Sequence, residues 1–94
     1  MHSLSITQQA EAVLAALESD GKRLRRVQKA LAQLENDPRH PGLSSHAYET
    51  LKGPLGEKIW ESYVENNTPS AWRIWWYYGP ETGEITVVEI GPHP

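Results

Sequence analysis

Apolar character is densest between Ala71 and Tyr78, where the run Ala-Trp-Arg-Ile-Trp-Trp-Tyr-Tyr carries a single charge. A stretch this rich in aromatic side chains predicts a strand packed on both faces. Strand alternation sends Trp72, Ile74, Trp76 and Tyr78 to one face and Ala71, Arg73, Trp75 and Tyr77 to the other, so the one cation shares its side with two aromatic rings. Turn residues flank the run, Asn66-Asn67-Thr68-Pro69-Ser70 before it and Gly79-Pro80-Glu81-Thr82-Gly83 after it, and apolar stretches lie beyond both. That pattern predicts two consecutive hairpins, a meander of strands over Ile59 to Glu65, Ala71 to Tyr78 and Glu84 to Ile90. Counting from the loops puts Tyr63 opposite Arg73 on the preceding strand and Glu89 opposite it on the following one. The other face collects Trp60, Val64, Trp72, Ile74, Trp76, Thr86, Val88 and Ile90, an apolar surface that has to be covered.

The N-terminal half supplies the cover. Ser3-Leu4-Ser5-Ile6 alternates as a short first strand, and Thr7 is placed to cap a helix in which Ala10, Val13, Leu14 and Leu17 share one stripe. Asp20-Gly21 ends that helix, and a second runs from Lys22 to Glu35 with Leu24, Val27, Leu31 and Leu34 at helical spacing. Asn36-Asp37-Pro38 stops it, because proline disfavours helical geometry in the residue before it. Residues 43–54 show no clear period and read as an irregular loop. The expected architecture is α+β: a short strand and a helical hairpin packed on one face of a three- to four-stranded antiparallel sheet. Trp60, Trp72, Ile74, Trp76, Val88, Val27, Leu31 and Leu14 are its expected core.

Length and composition narrow the classes. The 94 residues are enough for one core and too few for two, so residues 1–94 are expected to form a single domain. Cysteine is absent, which removes disulfides and cysteine-based zinc sites. With no apolar N-terminal run of signal length and no segment able to span a membrane, a cytoplasmic protein is expected. The formal net charge of -3 runs against a generic nucleic-acid binder. Five of the nine basic residues, Lys22, Arg23, Arg25, Arg26 and Lys29, nevertheless lie in the second helix; they form either a surface for an acidic partner or RNA backbone, or a solvated helix face. Arg39, His40, His46 and Lys52 make the following loop either a cationic lip beside the sheet or a solvated segment. His2, His40, His46 and His93 show no paired short spacing, so no metal is expected. Glycine-rich phosphate loops and G-x-S-x-G elbows are missing too.

The chemistry left is that of Arg73 and His93. His93 follows the last strand after Gly91-Pro92, and its odd numbering returns it to the face of Arg73. An arginine fork holds a phosphate and its developing charge, while an imidazole exchanges protons near neutral pH. RNA cleavage without metal needs little more, because the 2'-hydroxyl is itself the nucleophile once a base takes its proton and an acid protonates the leaving oxygen. Of the carboxylates near Arg73, which are Glu61, Glu65 and Glu89, one can serve as that base, and Glu61 is the candidate. Tyr63, Trp75 and Tyr77 on the same face, with His46 and Lys52 of the loop beside the sheet, are candidate substrate contacts. The alternative reading pairs Arg73 with Glu89 and leaves His93 as a tail residue.

Several local phrases then fall in a telling order: Asp37-Pro38-Arg39-His40-Pro41-Gly42-Leu43, His46 before Leu51-Lys52-Gly53, Trp60-Glu61, Trp72-Arg73-Ile74, and Ile90-Gly91-Pro92-His93. With the element order, they resemble the RelE/ParE superfamily of bacterial type II toxins over nearly the whole chain. The resemblance implies a toxin held inactive by an antitoxin that wraps it, acting as a ribosome-associated mRNA endonuclease without cofactor, as a monomer or weak homodimer. It also implies that Arg73 contacts the scissile phosphate and that His93 serves as general acid or base. Glu61-Ser62-Tyr63 stands where ribonuclease members carry basic residues, and Pro94 where an aromatic or lysine follows the matched histidine. Two alternatives therefore stay open: a catalytically silent binding module using Trp75, Tyr77 and Tyr63 as anchors, and a gyrase-type toxin on the same fold.

Overall fold

The computed structural model describes residues 1–66, 68 and 70–94. Its elements follow the chain as β1 (Ser3–Ile6), α1 (Gln8–Ala16), α2 (Gly21–Asn36), β2 (His46–Lys52), β3 (Lys58–Tyr63), β4 (Trp72–Tyr78) and β5 (Glu84–Pro92), with short 3-10 turns at Leu17–Ser19 and Pro41–Leu43. Both helix starts are capped as the sequence predicts. The Thr7 hydroxyl accepts from Ala10 N at 3.3 Å, and the Asp20 carboxylate from Arg23 N at 3.2 Å.

The α+β class and the helical hairpin on one face of the sheet stand; the sheet itself is larger than expected. It has five strands in the order β1-β5-β4-β3-β2 and is mixed, because β1 runs parallel to β5 while the other pairs are antiparallel. The added member is β2, formed by the segment that reads as an irregular loop. Its partner register slips between Ala47 and Lys52, and most of its residues are exposed, as befits an edge strand. Neither feature leaves a clean period-two signal in the sequence.

Tyr63 pairs with Arg73 as counted, but the partner of Arg73 on β5 is Gly91 and not Glu89, which pairs with Trp75. Along β5 the pairing jumps from Glu89 to Val87 while β4 moves from Trp75 to Trp76, a bulge that absorbs Val88. The bulge reverses the facing of the first half of the strand. Ile85 and Val87 therefore join Ile90 in the core, while Val88, expected there, packs beside Trp75 and Tyr77 on the other side; Thr86, expected on the covered face, pairs with Tyr77. The expected turn at 66–70 includes Asn67 and Pro69, which lie outside the described residues.

The main core joins Ala10, Leu17, Val27, Ala30, Leu31 and Leu34 of the helical layer to Ile74, Trp76, Ile85, Val87 and Ile90 of the sheet. Leu14, Trp60 and Trp72 pack against its margin. One polar chain runs through it: Trp76 Nε1 donates to Ser62 Oγ at 2.8 Å, and Ser62 Oγ lies 2.6 Å from Ser45 Oγ, which donates to Pro38 O at 3.1 Å. These bonds tie the segment after α2 to the sheet and fix where β2 begins.

Candidate active site

The face of the sheet turned away from the helices carries the titratable groups. On β3, Ser62 turns into the core and its neighbours Glu61 and Tyr63 turn the other way, next to Trp75 and Arg73 of β4. His46, the first residue of β2, pairs with Glu61. His93 is brought in by the end of β5, where its N–H donates to Ala71 O at 2.9 Å beside the start of β4.

Glu61 is the centre of this arrangement. Only 2% of it is exposed, and its carboxylate lies between two imidazoles: His46 Nε2 is 2.7 Å from Oε1, and His93 Nε2 is 3.6 Å from Oε2. A buried carboxylate needs such partners, because desolvation is costly for an unpaired charge. Oε2 makes no hydrogen bond, so one oxygen is committed and the other is in reserve. The committed imidazole is held from behind, with Nδ1 of His46 2.9 Å from Ser44 O. Ser44 takes the left-handed conformation, φ 46°, that aims its carbonyl there. Both ring nitrogens of His46 thus face oxygen atoms. His93 is about half exposed, and its Nδ1 lies 2.9 Å from Pro94 O.

Arg73 sits over the Tyr63 ring, with its guanidinium carbon 3.7 Å from the ring centre. One terminal nitrogen donates to the carbonyls of Glu65 and Trp72, and Nε is buried without a partner. The pairing with Glu89 that the sequence leaves open is replaced by backbone carbonyls and the Tyr63 ring.

Trp75 and Tyr77 are 3% and 6% exposed, packed with Ile59, Tyr48 and Val88 in a small second core. Their rings serve as walls, which leaves Tyr63 as the aromatic that engages the site's cation and, with a ring-centre distance of 5.9 Å, His46. Lys52 lies at the far end of β2, exposed and paired with Lys58, away from His46. The structure thus brings together Arg73, Glu61, His93, His46 and Tyr63. Two residues that sequence reasoning left out help to position them: Ser44, through its carbonyl, and Ala71, whose carbonyl holds His93. Backbone acceptors carry no sequence signal. Among the described residues no group of three or more histidine or carboxylate side chains converges as a metal-ligand set; His46 and His93 address different oxygens of Glu61.

Neither a family model nor a curated relative matches the chain. Solved structures do. The YoeB/ParE toxin from Agrobacterium tumefaciens superposes with a TM-score of 0.72 at 12% identity, covering 98% of this chain and 99% of that one. The archaeal RelE of the RelE-RelB complex from Pyrococcus horikoshii OT3 does so with 0.68 at 15% identity, over 97% and 93%. The intact E. coli RelBE toxin-antitoxin complex contributes a chain at 0.66 and 14% identity, over 100% and 99%. The chain therefore has the fold of the RelE, YoeB and ParE-like toxins along its whole length, which bears out the fold that the sequence resemblance implies.

Proposed function

We propose that this chain is the toxin of a type II toxin-antitoxin pair and cleaves mRNA on the ribosome without a metal. The observation that carries the reading is the buried Glu61 carboxylate set between His46 and His93, beside Arg73, on the sheet face free of helices. The fold shared with toxins crystallised together with their antitoxins supports an antitoxin as partner.

In the proposed reaction the 2'-hydroxyl oxygen attacks the adjacent phosphorus, and the bond from phosphorus to the 5'-oxygen of the next nucleotide breaks. Oε2 of Glu61 is buried with His93 Nε2 3.6 Å away, so the half-exposed His93 turns aside to donate a proton to the departing 5'-oxygen, and the Oε2 this uncovers takes the 2'-hydroxyl proton. The products are a cyclic phosphate and a 5'-hydroxyl. Arg73 leaves the two carbonyls to grip the phosphate's non-bridging oxygens, where its charge is worth most as the transition state gathers negative charge. His46 and the Ser44 carbonyl hold Glu61 in place. Tyr63 keeps the guanidinium flat over its ring.

The test is induction in a bacterial host, with primer extension on a translated message. Growth should stop and messages should be cut. Arg73→Ala, Glu61→Gln and His93→Gln should each relieve the arrest while the proteins stay folded. A second reading is favoured by one observation, the net charge of -3, which suits a protein target better than an RNA backbone. A wild-type protein that leaves messages intact with ribosomes present would support the silent binding module. Toxicity unaffected by Arg73→Ala and His93→Gln would point to a gyrase-type target.

A further inference from the structure

A groove opens on the opposite side of the sheet from the catalytic face, where the helical layer stops short of β3. Its floor is aromatic: Trp60 and Trp76 lie with ring centres 6.1 Å apart and planes 22° from parallel, and Tyr78 meets Trp76 edge-on at 4.9 Å. Its wall is the segment after α2, with Pro38, Arg39, His40, Pro41, Ser44 and Ser45. Tyr78 is 43% exposed, so its ring is open to a partner.

The groove is built in advance. The Ser45 to Ser62 and Ser45 to Pro38 bonds fasten the wall to the floor. Gly42 N–H donates to His40 Nδ1 at 3.0 Å, which makes Nδ1 an acceptor and leaves Nε2 as the ring's donor. A Cβ at Gly42 would lie 3.1 Å from the His40 ring, so glycine is what lets the ring fold over this turn. An apolar cleft with a few fixed polar groups is the usual form of a binding site.

Its charge says what fits. No carboxylate lines it, although Asp and Glu outnumber Lys and Arg by 12 to 9 in the chain. Arg39 is exposed on the wall, and Lys58 Nζ stands 5.4 Å from the Trp60 ring centre at the other margin. We infer that this groove receives a segment of a partner protein in which an aromatic or leucine side chain, seated on Trp60 and Tyr78 above the buried Trp76, is flanked by carboxylates that meet Arg39 and Lys58. A nucleobase would also stack on such rings, but RNA held at Arg73 lies on the other face of the sheet, so a polypeptide is the better occupant. The choice of a polypeptide over a nucleobase rests on the proposed RNA site at Arg73.

The test uses the whole chain, labelled with nitrogen-15, and follows the indole N–H signals of its four tryptophans. The probe is acetyl-Glu-Leu-Phe-Asp-Leu-Glu-amide; controls are the same peptide with lysine at the acidic positions and a six-nucleotide oligoadenylate. The acidic peptide should shift the Trp60 and Trp76 signals saturably, with Trp75 unmoved. Arg39→Glu and Tyr78→Ala, both at exposed positions, should weaken it by about tenfold each, which is about 1.4 kcal/mol, while the spectrum stays dispersed. The lysine peptide should bind at least about tenfold more weakly. No saturable shift at millimolar peptide, an affinity indifferent to Arg39→Glu, or equal shifts from the oligoadenylate would overturn the assignment, the last in favour of a nucleic-acid groove.

Discussion

Ser62 is wholly buried among the core tryptophans and serves both Trp76 Nε1 and the Ser45 hydroxyl. Replacing it with alanine removes little volume but strands an indole donor in a place water does not reach, so Ser62→Ala should cost about 1–3 kcal/mol. Urea unfolding would read this as a lower midpoint with unchanged slope; a neutral result would mean the hydroxyl chain is not fixed. The same residue shows why the site was partly legible. Alternation along β3 places Glu61 and Tyr63 on one face and Ser62 on the other, and that much follows from spacing. Arg73 and His93 were legible in the same way. The burial of Glu61 was not, because it depends on His46, and His46 reaches Glu61 only through a strand with no periodic signature. Trp75 and Tyr77 fall on the expected face, yet lose their exposure to Tyr48 from that same strand and to Val88 from the bulge.

At the scale of elements, α2 and the β3–β4 hairpin are joined by one carboxylate. Glu65 Oε2 accepts from Arg23 Nε at 3.1 Å and from an Arg26 terminal nitrogen at 3.3 Å, while its Oε1 accepts from Trp72 N at 3.2 Å. Burial works against the charged form most strongly, but the bonds to Arg23, Trp72 and Arg26 together outweigh it and hold the carboxyl below its ordinary value of 4.5. A carboxylate depressed in the folded state stabilises the fold above the unfolded value and loses that contribution as pH falls through the folded one. Wild-type protein should therefore melt higher than Glu65→Gln at neutral pH, and the gap should close on acidification below about pH 4.5. Since both guanidinium groups keep contact with solvent, the gap should correspond to about 1 kcal/mol or less. A gap that does not narrow as the pH falls below about 4.5 would rule out ion pairing as its source. The helix itself rests on apolar burial: Leu34 is fully enclosed, and Leu34→Ala should cost about 2–5 kcal/mol in the same unfolding experiment. That face was legible because helical spacing repeats over four turns. The β5 register was not, since one bulged residue inverts the strand's facing and no turn signal marks it.

The molecule as a whole separates two charged surfaces. Five basic residues sit on α2, in the layer that covers one side of the sheet, and Arg73, His46 and His93 sit on the other side. Arg23 and Arg26 are engaged by Glu65, and Arg23 also lies over the Trp72 ring at 4.9 Å, so Lys22, Arg25 and Lys29 remain to meet an external phosphate. On the proposed reading, a short single-stranded RNA held at Arg73 does not pass around the sheet to reach them. Its affinity should fall with salt by a slope of about 0.7 for each phosphate neutralised, and that slope should reflect Arg73 and its neighbours alone. Replacing Lys22, Arg25 and Lys29 together with glutamine should therefore leave the slope unchanged for a six-nucleotide RNA, whereas Arg73→Ala should reduce it by about 0.7. Fluorescence anisotropy over a range of salt concentrations measures both. If the triple variant flattens the slope by about 2, the helix face is itself a nucleic-acid surface, and RNA binds this protein on the side of its helices. An unchanged slope makes those three cations an ordinary solvated face, with recognition of the RNA left to the uncovered side of the sheet.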